Sequence, residues 1–399
     1  MRTEILILGG SLAGLSCAIA LKKLGYEPVV LEKCHFPRPK LCGEFLGPDA
    51  LVALKELNLL DTVQKAAYGP IERTYFYNRR GQSVQIQHHW IDPRMPYGLA
   101  IPRDCLDSLL MAEAKTLGVM VLEGYRALSP IRRERSSSGE VFCVKACASE
   151  TGKPLRELDI QAQWLVDATG RSGKLTLASP EKLPSTDSRD IDPKAQKIGI
   201  QCHVRLPHPL ATKDLHMFLF KGGYGGIQPI SDGLANICML FDAHLGKKMP
   251  GPFSDFLAAT IGENPAATAY LGDCKKEGDF NTTADVNLAG ETGQWNLWRS
   301  DALLRIGDAC VTVDPFTGSG MAHALETGQL AAQCLHEAWR NYRSYGDMLR
   351  HYQSSYQKRF KTRLRAMRFF RPFLESEPVQ AWIWPVLPVF LPGLARGLR

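Results

Sequence analysis

The sequence predicts an α/β protein in which an antiparallel sheet is inserted into a parallel sheet and helices follow towards the C-terminus. Three observations predict this class. Residues 1–33, MRTEILILGGSLAGLSCAIALKKLGYEPVVLEK, read as a strand, a glycine turn, a helix and a second strand. Two later apolar runs, within 164–173 and 303–328, also end in glycine-containing turns. Between these runs, segments alternate apolar and polar residues, the pattern of antiparallel strands with one solvated face.

The composition is that of an ordinary globular protein. Of 399 residues, 45% are hydrophobic and 22% are charged, and the net charge is +7. The basic excess lies near the C-terminus, and no basic tract has interleaved aromatic residues, so we expect no nucleic-acid partner. Eleven cysteines at irregular intervals predict reduced thiols and a cytoplasmic location. No apolar run is long enough for a signal peptide or a transmembrane helix.

The first glycine turn is typical of a dinucleotide-binding Rossmann-type unit. Residues 5–8 predict a buried strand, residues 12–24 a helix, and residues 27–31 a second strand. Serine occupies position 11, where the usual G-x-G-x-x-G pattern has glycine, but its small side chain still lets a pyrophosphate approach the helix N-terminus. Glu32 lies close to the separation of about 20 residues expected for an acid that binds a ribose. The predicted cofactor contacts here are Gly9, Gly10, Ser11, Ala13, Gly14, Glu32 and Lys33.

Two later stretches indicate which dinucleotide is bound. WLVDATGRSG (164–173) and LLRIGDACVTVDPFTGSGMAHALETG (303–328) each contain an apolar strand followed by a small-residue turn with an aspartate. Together with GGSLAG, they resemble in order the three fingerprints of the flavoprotein superfamily that contains p-hydroxybenzoate hydroxylase and geranylgeranyl reductase. The resemblance implies that the cofactor is FAD. It places at the cofactor Asp167 and Gly170 of the first stretch, and Gly307, Asp308, Pro315, Gly318, Ser319, Gly320 and Met321 of the second.

Three features of the last stretch have an expected role toward the flavin. Asp308 would accept a hydrogen bond from a ribityl hydroxyl. The helix after Gly318 would point its N-terminus at the flavin edge that becomes anionic on reduction. Pro315 would bring the backbone against the flavin ring and is therefore a catalytic candidate. The sequence has no second glycine-turn unit. Either NAD(P)H binds transiently, without a dedicated nicotinamide-binding domain, or another protein delivers the electrons.

A third group of candidate site residues follows the second strand. Arg38-Pro39-Lys40-Leu41-Cys42-Gly43-Glu44 resembles the R-x-K-x-C-G-[GE] loop of geranylgeranyl reductases, in which the cysteine faces the active site. Arg38 and Lys40 are expected to favour a Cys42 thiolate and to assist proton transfer. The alternative is that both cations contact phosphate while Cys42 packs. The predicted site residues are Arg38, Lys40, Cys42 and Gly43 as cofactor contacts, Cys42 also as a catalytic residue, and Arg103 at the start of a helix as a cofactor contact.

The alternating segments predict the substrate side. Residues 74–77 and 83–87 read as a hairpin, and further strands are expected at 198–206, 214–220 and 233–241. In the superfamily such a sheet forms the roof of the substrate cavity. Here Tyr224, Gly226 and Pro229 stand where the superfamily has Y-x-W-x-F-P, and the tryptophan is absent. The glycine pairs 222–223 and 225–226 are expected to leave a wider or more flexible cavity.

The predicted organisation is a discontinuous FAD-binding domain (1–70, 99–185 and 286–345), a substrate domain (71–98 and 186–285) and a C-terminal part (346–399). The last part carries a basic helix around 358–371, followed by an apolar segment with Trp382 and Trp384. Basic charges beside tryptophans anchor proteins on anionic membrane surfaces. The alternative is that this tail packs over the mouth of the substrate cavity. The histidines show no metal-ligand spacing, so no metal is expected.

The sequence therefore predicts a FAD-dependent oxidoreductase of a hydrophobic small molecule. The leading hypothesis is an NAD(P)H- and O2-dependent monooxygenase acting on a hydrophobic or aromatic compound. The second is a geranylgeranyl reductase-like enzyme that saturates isoprenoid double bonds, which the Cys42 loop favours. A third is a flavoprotein that relays electrons or binds a membrane partner.

Overall fold

The computed structural model describes residues 1–136, 139–148, 157–171, 175–178, 197–208, 210, 212–248, 251–283, 303–388 and 392–393. Its strands and helices, in chain order, are β1 (Arg2–Leu8), α1 (Leu12–Lys23), β2 (Pro28–Glu32), β3 (Phe45–Leu46), α2 (Pro48–Glu56), α3 (Leu60–Ala66), β4 (Pro70–Ile71), β5 (Arg73–Tyr77), β6 (Ser83–Gln87), α4 (His88–Ile91), β7 (Gly98–Ala100), α5 (Arg103–Thr116), β8 (Met120–Glu123), β9 (Tyr125–Ala127), β10 (Arg132–Ser136), β11 (Gly139–Ala148), β12 (Glu157–Asp167), β13 (Lys197–Arg205), β14 (Leu215–Phe220), β15 (Gly223–Ser231), β16 (Leu234–Asp242), α6 (Phe253–Ala258), α7 (Pro265–Leu271), β17 (Lys275–Thr283), β18 (Leu304–Arg305), α8 (Gly320–Arg340), α9 (Tyr345–Glu375) and α10 (Glu377–Ile383).

The first sheet has the parallel core that the sequence predicts. Its strand order is β10-β11-β12-β1-β2-β8, with β18 also paired to β12 and β9 to β11. The pairs β12–β1, β1–β2, β2–β8 and β12–β18 are parallel, whereas β9, β10 and β11 form an antiparallel edge. Because parallel strands end at the same edge, the turns after β1, β12 and β18 meet there.

The βαβ unit forms as predicted from its local sequence. β1 extends from Arg2 rather than Ile5, but its buried part is the predicted run Ile5–Leu8. α1 spans Leu12–Lys23 and is followed by Gly25 at a φ of +90°, a conformation that glycine adopts without steric cost. α1 packs between the sheet and α8, and nine of its twelve residues are buried. This burial explains why α1 is apolar on most of its surface.

The second sheet covers the carboxyl edge of the first. Its order is β17-β13-β16-β15-β14-β5-β6, and only the β14–β5 pair is parallel among its described strands. The predicted hairpin is present as β5 and β6, and the three further predicted strands are present as β13, β14 and β16. β15 and β17 were not expected as strands, because glycines and charged residues respectively interrupt their apolar pattern. A third, small sheet of β3, β7 and β4 lies in the loops between the two.

The C-terminal part packs on both sheets. α9 extends well beyond the predicted basic helix, and Tyr352, Tyr356 and Phe360 are buried in the larger core with α8. α10 contacts the β5–β6 turn, where Glu377 pairs with Arg79 and Arg80. The predicted domain boundaries at 185/186 and 285/286, residues 172–173 of the second fingerprint and the end of the tail (394–399) lie outside the described residues. In the described part of the chain, no helix combines the length and the apolarity needed to cross a membrane.

Candidate functional site

A cavity of about 210 Å³ lies where the turns of the parallel sheet meet the second sheet. Its floor includes residues of the turn after β1, the turn after β12 and the segment between β18 and α8. Its roof is built from alternate residues of β15, namely Tyr224, Gly226 and Gln228, together with residues of β14 and β16. The loop from Lys40 to Gly43 forms one wall. All three predicted fingerprints thus contribute to one cavity.

The first glycine turn is closed by contacts that only glycine permits. A Cβ on Gly9, whose φ is +111°, would lie 2.3 Å from the Ala168 carbonyl oxygen, and a Cβ on Gly14 would lie 1.8 Å from the Gly9 carbonyl oxygen. The Gly10 N–H donates to Glu32 Oε2 at 2.6 Å, and the Cys34 N–H donates to Glu32 Oε1 at 3.0 Å. Glu32 is buried at the end of β2, and its carboxylate retains lone pairs for a ribose.

A group of charges surrounds the N-terminus of α1. The Ser11 hydroxyl does not cap the helix; it accepts from Arg103 Nη2 at 3.1 Å and lies 3.5 Å from Lys40 Nζ. Arg103 is buried and pairs with Asp107 at 2.9 Å. Burial opposes the charge of Arg103, but Asp107 and Cys42 raise its pKa above the ordinary value. Burial and then the Arg103 guanidinium lower the pKa of Lys40. Helix N–H groups and excess positive charge here suit a pyrophosphate.

The second fingerprint contributes through its turn and not through its aspartate. Gly170 lines the cavity, whereas Asp167 lies below it and is fully buried. Asp167 Oδ1 accepts from the Thr169 N–H at 3.0 Å and from its hydroxyl at 2.6 Å, and Oδ2 lies 3.5 Å from Arg305 Nε. Asp167 therefore joins the ends of β12 and β18, a role that sequence reasoning did not foresee because Arg305 is distant in the chain.

The third fingerprint lies around the start of α8. Asp308, Pro315, Gly318, Gly320 and Met321 line the cavity. Gly307, at a φ of +58°, packs against α1: an added Cβ would lie 2.8 Å from that of Ala13. Ser319 is the residue before α8 and does not line the cavity. Gly320 and Met321, the first residues of α8, thus line the cavity.

The backbone that lines the cavity leaves room for a large cofactor. A Cβ added to Gly43, Gly170 or Gly320 would meet no heavy atom within 4 Å. These three glycines come from three separate turns, yet all line the same space. Beside it, Arg38 has a buried Nε without a hydrogen-bond partner in the described part of the chain. Open backbone on three sides, two helix N-termini and surplus cations fit an anionic dinucleotide with a flat ring.

Cys42 faces the cavity, but as a thiol and not as the expected thiolate. Its Sγ lies 3.6 Å from Met321 Sδ and accepts from the Glu44 N–H at 3.3 Å. Burial raises the pKa of Cys42 even though Arg103 is near enough to lower it. The expectation of a thiolate was wrong because sequence spacing does not reveal desolvation, which here outweighs the neighbouring cations.

A buried polar network holds the Cys42 loop against the roof. His203 Nε2 bonds with Glu44 Oε2 at 2.9 Å, and Glu44 adopts a φ of +57°. Gln228 Nε2 donates to the Glu44 carbonyl oxygen at 2.9 Å, and Asn236 Nδ2 donates to the Cys42 carbonyl oxygen at 3.1 Å. Sequence reasoning missed Gln228 and Asn236. The signal for Asn236 was a polar residue within an otherwise apolar strand. The signal for Gln228 was a polar residue on the same face of its strand as Tyr224 and Gly226, since side chains alternate along a strand with a period of two.

The roof is tied to the α8 segment, and it is not widened by its glycines. The Tyr224 hydroxyl donates to Asp314 Oδ1 at 2.5 Å, and burial together with Asp314 raises the pKa of Tyr224 well above its ordinary value. Of the four glycines expected to enlarge the cavity, only Gly226 lines it. Even there, an added Cβ would lie 2.6 Å from Met217 Sδ. The expectation was wrong because neighbouring side chains fill the room that glycine leaves.

The predicted site residues fall into two groups. Those that line the cavity are Ser11, Ala13, Lys40, Cys42, Gly43, Arg103, Gly170, Asp308, Pro315, Gly318, Gly320 and Met321. Those that do not line it are Gly9, Gly10, Gly14, Glu32, Lys33, Arg38, Asp167, Gly307 and Ser319. Most of the second group shape the turns from behind, while Lys33 is exposed to solvent.

The fold and this geometry agree with comparisons to known proteins. The model of the FAD binding domain family matches residues 2–362. The chain is 25% identical over 351 residues to a menaquinone reductase of Mycolicibacterium smegmatis, covering 84% of this chain and 76% of the relative. It is 22% identical to digeranylgeranylglycerophospholipid reductase 2 of Methanopyrus kandleri, covering 94% and 89% respectively. The structure of the flavin-dependent brominase Bmp2 superposes with a TM-score of 0.75 at 18% identity, covering 100% and 94%.

The family match spans most of the chain, and the cavity that carries its fingerprints has the open backbone and the positive helix termini that the cofactor requires. The chain belongs to the FAD binding domain family and is a FAD-dependent oxidoreductase.

Proposed function

We propose that this oxidoreductase reduces a carbon–carbon double bond of an apolar, isoprenoid-like small molecule. The observation that carries the proposal is the position of Cys42 on the cavity wall, where burial raises the pKa of its thiol. Saturating such a bond requires a hydride on one carbon and a proton on the other. FAD, when bound, supplies the hydride, and NAD(P)H is the proposed reductant. The protein must therefore supply the proton from a group that stays protonated near neutral pH.

Cys42 Sγ meets this requirement. Burial keeps the proton on sulfur, and the Glu44 N–H and Met321 Sδ fix its position. In the same loop, the buried Glu44 carboxylate bonds to His203 on the half-exposed side of β13. Glu44 raises the pKa of His203, so that a larger fraction of this imidazole carries a proton near neutral pH.

The rest of the cavity supports an apolar substrate. Leu215, Met217, Met239 and Leu240 of the second sheet face it, as do Phe45 and Phe316. Such a wall excludes water from the reacting bond and binds hydrocarbon by burying its surface. Two relatives named as reductases, one of menaquinone and one of a digeranylgeranyl lipid, support the same class of substrate.

Hydroxylation by an NAD(P)H- and O2-dependent monooxygenase is the second candidate. Phe45, Tyr224 and Phe316 place aromatic side chains on the cavity wall, an arrangement that suits a flat aromatic substrate. We rank it below reduction, reversing the order that the sequence alone favours, because transfer of oxygen has no use for a proton-donating thiol on the cavity wall.

The test compares the products formed from menaquinol, a phenol, and from geranylgeraniol, an alcohol, by the FAD-loaded enzyme with NADPH. Without oxygen, we expect mass spectrometry to show the gain of hydrogen pairs at side-chain double bonds. Cys42→Ala should lower the rate by about 100-fold without changing the visible spectrum of the bound flavin. Cys105→Ala, which removes a half-buried thiol outside the cavity, should leave the rate unchanged.

The same reactions under 18O2 test the second candidate. A product that carries 18O and keeps all its double bonds would overturn the proposal in favour of hydroxylation. A Cys42→Ala variant that reduces the lipid at the wild-type rate would remove Cys42 as the proton donor.

A further inference from the structure

Gln228 carries an unused hydrogen-bond acceptor inside the cavity. It lies on β15, is 1% exposed and lines the cavity. Its Nε2 donates to the Glu44 carbonyl oxygen at 2.9 Å, whereas its Oε1 is buried without a hydrogen-bond partner among the described residues. Buried polar atoms are nearly always paired, so an unpaired one in a cavity indicates a place where a ligand group or a water bonds.

The orientation of this amide follows from its partner. The Glu44 carbonyl oxygen can only accept, and it also receives the Ile101 N–H at 3.0 Å. Turning the Gln228 amide over would place two acceptors against each other and leave a donor in the cavity instead. The group presented to the cavity is therefore the oxygen.

Neighbouring donors are already used. Asn236, which lies opposite Gln228 in the β15–β16 register, donates to the Cys42 carbonyl oxygen at 3.1 Å and accepts from Gln201 at 2.8 Å. The Tyr224 hydroxyl, on the same face of β15, donates to Asp314. These neighbours bond to other groups and none of the described residues donates to Gln228 Oε1, so its donor comes from a bound molecule or a water.

We propose that Gln228 Oε1 accepts a hydrogen bond from a hydroxyl group of the substrate. A hydroxyl is favoured over a charged amine because Lys40 and Arg103 make this cavity repel cations. The substrate is then an apolar alcohol or phenol, and its hydroxyl lies close to the bond that reacts, because the same amide holds the backbone of the Cys42 loop. The choice of substrate class rests on the proposed function, whereas the hydrogen bond itself can be tested by binding alone.

The experiment measures binding to the FAD-loaded, oxidised protein by perturbation of the flavin absorbance. The probes are geranylgeraniol and its methyl ether, which replaces the hydrogen-bond donor by a methyl group. We expect the alcohol to bind about tenfold more tightly than the ether to the wild type. In Gln228→Met this preference should disappear, since methionine has a similar shape and no amide.

Gln201→Met is the matched control. It disturbs the same buried network through Asn236, yet Gln201 does not line the cavity, so the alcohol preference should remain. Equal binding of both probes by the wild type would overturn the proposal, and so would a preference that survives in Gln228→Met. Weaker FAD binding by Gln228→Met, with the preference intact, would assign the acceptor to the cofactor instead.

Failure of the proposed function has a different signature. If the enzyme hydroxylates its substrate, 18O appears in the product while the alcohol and the ether still bind with different affinities. If only the hydrogen bond is wrong, double-bond reduction proceeds and the two probes bind equally.

Discussion

At the scale of single residues, charge at the cavity is set by burial as much as by sequence. Lys40 and Arg103 both lie near Ser11, but only Arg103 has a carboxylate, Asp107, within 3 Å. Burial therefore lowers the pKa of Lys40, whereas Asp107 and Cys42 raise the pKa of Arg103 against the effect of burial. A positive charge that lacks its own counter-ion in this way becomes more stable when an anion binds beside it.

Lys40→Met should therefore weaken FAD binding while leaving the apoprotein at least as stable. We expect a loss of about tenfold in FAD affinity, equivalent to about 1.4 kcal/mol, because a favourable interaction with phosphate is removed. The apoprotein should not lose stability, since a half-buried cation, whose pKa is lowered by burial, is replaced by an apolar side chain.

Lys33→Met is the control for this prediction, because Lys33 was predicted as a cofactor contact yet is exposed and outside the cavity. Titration of the two apoproteins with FAD, followed by flavin fluorescence, measures both affinities. Equal loss in the two variants would show that the effect is one of net charge and not of a local contact.

At the scale of secondary-structure elements, α10 shows which side chains of the apolar tail are used within the fold. Gln380 Oε1 accepts from the Arg79 N–H at 3.3 Å, and Glu377 pairs with both arginines of the β5–β6 turn. Trp384 is buried in a cluster with Val84 and Leu219, against which Tyr224 and Phe316 of the cavity wall also pack. Trp382 is 82% exposed. The described part of the tail thus supports the alternative in which the tail packs beside the cavity. Trp382 is exposed, so it is the side chain that would contact a membrane in the other alternative.

Replacing each tryptophan by alanine should separate these roles. Trp384→Ala should lower the free energy of unfolding by about 3 kcal/mol, because it opens a cavity behind the substrate site. Trp382→Ala should change it by no more than about 0.5 kcal/mol, since the side chain is mostly in water.

Chemical denaturation of both variants measures the difference. Sedimentation with anionic phospholipid vesicles tests the membrane alternative. If the tail binds a membrane, Trp382→Ala is expected to reduce binding to the vesicles. Trp384→Ala does not test this alternative, because it removes a side chain that is buried in the fold. Equal destabilisation by the two substitutions would contradict the packing described for α10.

At the scale of the whole molecule, two sheets are joined at a cavity by hydrogen bonds between distant segments. Tyr224 links β15 to the α8 segment, and Gln228 and Asn236 link the roof to the Cys42 loop. Several histidines are buried in this arrangement as neutral groups. Burial lowers the pKa of His88 and of His216 to about 4, and that of His323 to about 3.

The protein should therefore lose stability as the pH falls below about 6.5. A histidine whose pKa is lowered by folding binds protons more tightly when unfolded, so its contribution is complete above the ordinary value of 6.5 and is lost as the pH falls towards 4. For His88, at about 1.4 kcal/mol for each pKa unit, the loss amounts to about 3 kcal/mol. His203, whose pKa is raised by Glu44, acts in the opposite direction and offsets part of it.

The adjacent residues His88 and His89 provide the test. His88 is buried between Thr74 and the Ile71 carbonyl oxygen, whereas His89 is exposed. Melting temperatures measured between about pH 7.5 and 4 should fall less steeply for His88→Gln than for the wild type. His89→Gln should follow the wild type, and a slope unchanged by His88→Gln would refute the assignment.

Much of the fold was accessible from the sequence because its determinants are local. The strand–turn–helix order of residues 1–33, the hairpin around residue 80 and three strands of the second sheet follow from apolar spacing and glycine positions. β15 was missed because Gly223, Gly225 and Gly226 lower its strand propensity, while pairing with β14 and β16 stabilises it.

The sequence by itself determined the FAD-binding architecture and the three turns that meet at the cavity. Where the backbone has a positive φ or passes close to another segment, only glycine fits without strain. Such positions are therefore visible as glycines in the sequence. Only the tertiary structure decided that Asp167 joins two strands through Arg305, that burial raises the pKa of Cys42 and that Gln228 presents an unpaired oxygen. Each of these depends on exclusion of water and on partners far away in the chain, which no local pattern encodes.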